Sequence, residues 1–308
     1  MRLLSGVCLG LAFFALGGCE DFYVGVNDHA FHEDFHYSYP LNAGAAVMVD
    51  NSNGSIEIVG WDKNTVDIEG TKYASSDDRL REVKIDVQQS SSSVSIRTIL
   101  PTPRIGGYGA RYVIHVPRHV ELQNISSSNG AIHVETIDGS AHLKTSNGGI
   151  RAFAFQGSLD ARTSNGSIEL SDVTGDTSAH TSNGTIKADV KKGNFDASTS
   201  NGSITARLVE ADTRPVRLES SNGHIDLTMD AAREVHADTS NSSITVRMPS
   251  NAGADVRAHT SNSSITTDFD VSVHGGMISK HRMEGHIGSG GPLLDLGTSN
   301  GAIRILRM

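Results

Sequence analysis

The stretch Thr163-Ser164-Asn165-Gly166-Ser167-Ile168-Glu169-Leu170 returns eighteen residues later as Thr181-Ser182-Asn183-Gly184-Thr185-Ile186-Lys187-Ala188, and the reading of this repeat decides the fold. Across the chain, Ser-Asn-Gly/Ser-x-Ile occurs ten times, with its asparagine at Asn53, Asn129, Asn147, Asn165, Asn183, Asn201, Asn222, Asn241, Asn262 and Asn300. From Asn129 the step is 18 residues four times, then 21, 19 and 21, and finally 38, which leaves room for two turns or for one turn and an insertion. Apolar or small residues alternate twice per unit, so each unit contains two short strands. Eighteen residues hold two strands of about five residues and two tight turns, and cannot enclose a core alone. Stacking buries the stripe. The expected fold is all-β, a parallel β-solenoid with coils of about 18–21 residues, layers about 4.8 Å apart and a capping segment at each end.

In that stack Ile132, Ile150, Ile168, Ile186, Ile204, Ile225, Ile244, Ile265 and Ile303 form one internal ladder. Val134, Ala152, Leu170, Ala188, Ala206, Leu227 and Val246 form the column beside it. Gly139, Gly157, Gly175 and Gly193 mark a second turn, where glycine tolerates positive φ. The Asn-Gly corner reads the same way, as residues that accept left-handed angles, with the Asn side chains bonding between layers. Because the group recurs ten times, it reads as architecture and not as an active site. Ser242 and Ser263 replace the corner glycine in two copies, and those corners are expected to be slightly strained.

The chain has 308 residues, 37% of them hydrophobic and 5% aromatic, with a formal net charge of −9. That sign excludes a binder that tracks nucleic-acid phosphates. The two cysteines, Cys8 and Cys19, both lie near the start, so neither a disulfide framework nor a Cys-ligated metal is expected. Arg2, the apolar run Leu3–Leu16 and Leu16-Gly17-Gly18-Cys19 resemble a bacterial lipoprotein signal with its lipobox. The resemblance implies cleavage before Cys19 and acylation there, a lipid anchor in the cell envelope, with the outer membrane favoured over the inner. The organisation read from the chain is therefore a signal peptide over 1–18, a tether and N-terminal strand over 19–43, and a solenoid over 44–308. Within it, 61–123 carries inserted or capping strands and 268–297 is the C-terminal cap, both needed because an open end presents unpaired backbone groups.

Asn53-Gly54-Ser55-Ile56-Glu57-Ile58 followed by Gly60-Trp61-Asp62, the strand end Val116-Pro117, the run of Thr-Ser-Asn-Gly-x-Ile coils, and Leu296-Gly297-Thr298-Ser299-Asn300-Gly301-Ala302-Ile303 resemble the bacterial putative-adhesin family of β-strand repeat proteins over roughly residues 44–307. The likeness implies a fold and an envelope setting, and brings no catalytic residues with it.

Chemistry was sought separately. Asp28 to His36 holds three imidazoles and three carboxylates, and His32, Asp34 and His36 would share one face of a strand, a weak candidate set for Zn²⁺ or Cu²⁺. A solvated outer face is the commoner meaning of such a pattern, so no metal and no cofactor is expected. There is no His-Glu-x-x-His, no Gly-x-Ser-x-Gly elbow, and no Asp at a regular turn position of the kind calcium-binding β-rolls carry. The outward rows, Ala131 to Ser264 and His133 to Thr266, are small or of mixed charge, with Phe153 nearly the lone aromatic; recognition is expected in 22–40 or 268–297. The expected function is a non-enzymatic envelope scaffold, structural or adhesin-like, partnered with the membrane through its anchor and with an envelope protein or external surface. The alternative is a polysaccharide-degrading β-helix enzyme. Adjacent carboxylates in one surface groove would favour that alternative.

Overall fold

A computed structural model describes residues 31–102, 107–210, 212–273 and 277–308. The leader and Cys19 lie outside the described residues. Strands such as Ile186–Lys192 and Phe195–Thr199 alternate buried and exposed positions, because side chains two apart share one face of the pleat. Each regular coil gives one strand to a 13-stranded sheet and one to a 14-stranded sheet, and the inner faces share one apolar core. The regular coils pair in parallel, which is the β-solenoid that the period predicts.

Ten isoleucines stack residue upon residue, in the order Ile56, Ile132, Ile150, Ile168, Ile186, Ile204, Ile225, Ile244, Ile303, Ile265. All are buried. The corner asparagines follow the same order. Asn129 Nδ2 donates to Asn53 Oδ1 at 2.6 Å, and the pattern continues through Asn147, Asn165, Asn183, Asn201, Asn222 and Asn241 at 2.7–2.8 Å. Asn300 then donates to Asn241, and Asn262 to Asn300, each at 2.8 Å. Asn53 Nδ2 ends the ladder on the carbonyl of Tyr108 at 2.9 Å. A second ladder runs inside it. Thr145, Thr163, Thr181 and Thr199 each donate Oγ1 to the corner glycine carbonyl of the preceding layer at 2.8–3.1 Å. The same hydroxyls accept from the amide of their own corner glycine at 3.2–3.3 Å.

Asn183→Ala removes two of these amide bonds, the one to Asn165 and the one from Asn201. Exposed hydrogen bonds contribute about 0.5–1.5 kcal/mol each, so a loss of about 1–2 kcal/mol is expected in urea denaturation. An unchanged midpoint would show that water substitutes fully for the ladder.

The corner glycine is not explained by positive φ, as the sequence reading held. Only Gly54 among the Asn-Gly corners is left-handed, at φ 115°, and Ser242 and Ser263 are not left-handed. The reason is close approach. A Cβ at Gly166, Gly184 or Gly202 would lie 1.7–1.8 Å from the carbonyl oxygen of the corner glycine one layer before. At the second turn positive φ does hold for Gly157, Gly175 and Gly193, at 121–126°, but not for Gly139. Thr136, Ala154 and Asp172, eighteen residues apart, repeat a left-handed residue at φ 50–59° just before that turn.

The period lengthens after Gly193, and Arg233, two coils on, reaches back to that turn. Its side chain is fully buried, and Nη2 donates to the carbonyls of Gly193 at 2.5 Å and Arg214 at 3.1 Å. Burial lowers its pKa from the ordinary arginine value.

Coil order departs from chain order at both ends. The coil Leu293–Thr298 with Ile303–Arg307 slides between Val235–Thr239 with Ile244–Met248 on one side and Ala254–Thr260 with Ile265–Thr267 on the other. The predicted cap 268–297 therefore divides. Val271–Ser272 and Arg282–Ile287 pair antiparallel at the outer edge, while Leu293–Thr298 is an internal strand. At the other end, Ala45–Asp50 with Ile56–Trp61 is held between Ser93–Ile99 with Tyr108–Pro117 and Val120–Ser127 with Ile132–Asp138. The segment 61–123 thus includes a full coil of its own, flanked by Phe31–Pro40 and Thr65–Ala74 on one sheet and Lys84–Ser90 on the other, all antiparallel.

Candidate functional site

The outer face of the 14-stranded sheet carries the most concentrated polar chemistry. Parallel register places Ser198, Glu219, Asp238, Gly297 and His259 in one column across five strands. Because Gly297 has no side chain, the column opens into a groove of ≈ 620 Å³. Asp238 leans across that gap, since a Cβ on Gly297 would lie 2.1 Å from Asp238 Oδ1. Hydroxyls from the corner, among them Ser200, Ser221, Ser240 and Ser299, form the adjoining wall. In the neighbouring column His236 Nε2 lies 3.0 Å from Glu234 Oε1, and its Nδ1 lies 3.7 Å from Asp295 Oδ2.

Burial raises the Asp238 carboxyl above the usual carboxylate range, and the negative charges of Asp295 and Glu219 push the same way, against His236. A carboxyl whose protonated form is favoured in this way has the chemistry of a general acid. The lining residues include no aromatic ring apart from the imidazole of His259, so a sugar has no stacking platform there. In the sequence the two acids stand nineteen residues apart, one in each of two successive coils. The signal was present in the period: Glu219 and Asp238 both stand three residues before their corner asparagines.

The N-terminal strand Phe31–Pro40 does not gather the predicted trio. Asp34 Oδ1 accepts from Thr71 Oγ1 at 2.7 Å, and His32 lies opposite Tyr73. His36 instead meets residues of Thr65–Ala74. Its Nε2 is 2.7 Å from Asp67 Oδ1, and Glu69 is its cross-strand partner. The aromatics of the same strand pack as expected against the first coils, with Phe35 edge-on to Tyr112 at 5.5 Å and Tyr37 stacked on Tyr39 at 6.4 Å. The asparagine ladder holds no ligand-like geometry, because each amide is used by its neighbours.

No helix among the described residues is long and apolar enough to cross a membrane. No family model and no curated protein matches the chain. Three solved structures are similar to it. A putative adhesin from Parabacteroides merdae is 8% identical, over 90% of this chain and 96% of that one, with a TM-score of 0.34. A putative adhesin from Bacteroides fragilis is 11% identical over 90% and 97%, with a TM-score of 0.26. A putative cell adhesion protein from Clostridium sporogenes is 11% identical over 90% and 100%, with a TM-score of 0.24. At these scores the likenesses bear on neither activity nor partner.

Proposed function

We propose that the chain is a non-enzymatic, lipid-anchored scaffold of the bacterial cell envelope, a stiff rod that presents its surface to an envelope component or an external surface. The observation that carries this reading is the unbroken asparagine ladder. Its nine steps of about 4.8 Å give a continuous rod of about 43 Å between Asn53 and Asn262. The strand Phe31–Pro40 sits at the edge of the N-terminal cap, so a tether from Cys19 joins the rod at that end. The twelve steps from Cys19 to Phe31 reach at most about 40 Å when extended. The far end of the rod then points away from the membrane.

A second reading, a β-helix enzyme acting on polysaccharide, is favoured by one observation, the Glu219–Asp238 pair in an open groove. Polysaccharide cleavage by paired carboxylates needs an acid and a base flanking the bond, and the pair supplies both. Against it stands a groove without aromatic rings.

One experiment with two readouts separates these. The full chain is expressed in a bacterial host with labelled fatty acid, beside Cys19→Ser and the double variant Glu219→Gln, Asp238→Asn. Label is expected on the full chain and the double variant and absent from Cys19→Ser, whose leader remains uncleaved. Reducing-end release from envelope polysaccharides is expected to be at background for all three. Labelling that survives Cys19→Ser overturns the anchor. Release by the full chain that the double variant loses establishes the enzyme.

A further inference from the structure

We infer that His36, Asp67 and Glu69 form a binding site for a divalent transition-metal ion of the zinc class. The three side chains converge because of register. His36 and Glu69 are directly opposed on antiparallel strands, and Asp67 stands two residues from Glu69 on the same face. One donor atom from each lies within 4.8 Å of the others. In a tetrahedral site with bonds of about 2.0–2.2 Å two ligand atoms stand about 3.3–3.6 Å apart, so side-chain rotations that draw the donors together by about an ångström bring all three onto one ion. Three protein ligands leave one position of a tetrahedral site for water.

The surroundings hold these ligands in place. The site borders a pocket of ≈ 580 Å³ lined by Asp34, Phe35, Gly70, Thr71 and Val113 as well as by His36 and Glu69. Phe35 fills the space a side chain at Gly70 would take, its Cζ 2.4 Å from where that Cβ would be, which locks the two strands together beside the ligands. Ser38 is the cross-strand partner of Asp67, placed where an outer hydroxyl orients a ligating carboxylate. On the other side of Asp67, the cross-strand partner His115 stacks on Trp61 at 5.1 Å and keeps a buried Nδ1 without a hydrogen-bond partner. Imidazole with two carboxylates suits zinc, nickel or copper and disfavours calcium and magnesium, which take oxygen ligands alone.

The test is calorimetric titration of the full chain, prepared without a polyhistidine tag, with zinc chloride and separately with calcium chloride. One equivalent of zinc is expected to bind, with no heat of binding for calcium. His36→Ala and Glu69→Gln should each weaken zinc binding at least about tenfold. His32→Ala, on the same strand but outside the cluster, should leave it unchanged, and thermal melts of each variant without metal check that the strand pair persists. Imidazole nitrogen resonances of His36 and not of His32 should shift on addition of zinc. Binding that is equal in His36→Ala and the parent overturns the site, as does a loss in His32→Ala as large as that in His36→Ala.

Discussion

Gly148→Ala is expected to destabilise the protein by more than about 3 kcal/mol, while Gly149→Ala, one residue further on, should stay within about 1 kcal/mol of the parent. The two glycines are adjacent in sequence and differ in what lies above them. A Cβ at Gly148 would be 2.0 Å from the carbonyl oxygen of Gly130, 2.4 Å from its carbonyl carbon and 2.8 Å from the amide nitrogen of Ala131. All three are backbone atoms of the preceding layer. That carbonyl is also fixed from within, since it accepts the Thr145 hydroxyl at 2.9 Å. Retreat from the methyl group would break this bond and open the layer spacing. At Gly149 the nearest atom is the Ser167 carbonyl oxygen at 3.2 Å, a gap that a shift of a few tenths of an ångström relieves. Urea unfolding of the two variants measures the difference. Equal midpoints would mean that the corner does not set how closely layers approach.

That contrast shows what the period encodes and what it leaves open. The recurrence of Thr-Ser-Asn-Gly-x-Ile made the parallel stack, the isoleucine column and the asparagine corner legible, because a period near 18 with two alternating stripes has few other ways to bury itself. The physical role of the corner glycine was not legible. Left-handed backbone and close approach both select glycine, and only the distance to Gly166 or Gly184 in the layer before distinguishes them. The threonine before Ser-Asn-Gly at Thr145, Thr163, Thr181 and Thr199 was equally easy to pass over, since its hydroxyl bonds to a residue fifteen positions away.

Coil order was hidden for a different reason. The coil around Asn300 shares the Ser-Asn-x-x-Ile signature of its neighbours and differs at the corner in Gly301, where they have Ser242 and Ser263, so its place between Asn241 and Asn262 rests on pairing that the local sequence does not state. At the corner Gly301 sits against Ser242, where a Cβ would be 1.7 Å from the Ser242 carbonyl oxygen, and the Ser263 corner stacks on Gly301, so a glycine corner separates the two serine corners.

The candidate sites were legible as residue types and not as constellations. His32, Asp34 and His36 do share a strand face, but Asp34 is taken up by Thr71 and His32 lies opposite Tyr73, so among the three only His36 meets further ligand-type side chains across the strands. The partners of His36 come from a strand 31 residues later, and those of Asp238 from the next coils. Such pairings follow from register, which a single sequence states only where the repeat is regular.

Ile186→Ala is expected to cost about 2–5 kcal/mol, in the upper part of that range, and Lys187→Ala under about 0.5 kcal/mol. Ile186 is wholly buried and stacked between Ile168 and Ile204. The next inward residues of its own strand and of the following one are Ala188 and Ala206, which have no length to lend to a cavity. Collapse is therefore limited to movement of whole layers, and the asparagine and threonine ladders resist that movement on the corner side. Lys187 points outward and is exposed. A third substitution tests whether the stack behaves as a chain of nearest neighbours. Ile265 lies on the last strand of its sheet, pairs with Ile303 alone and is 9% exposed. Ile265→Ala removes contacts to one layer where Ile186→Ala removes contacts to two, so it should cost about half as much. Urea midpoints and hydrogen exchange around each site measure all three. Equal losses at 186 and 187 would invert the assignment of the strand faces. A loss at 265 that matches the one at 186 would show that the antiparallel segment Arg282–Ile287 and its surroundings bear on the end layer as a further coil would.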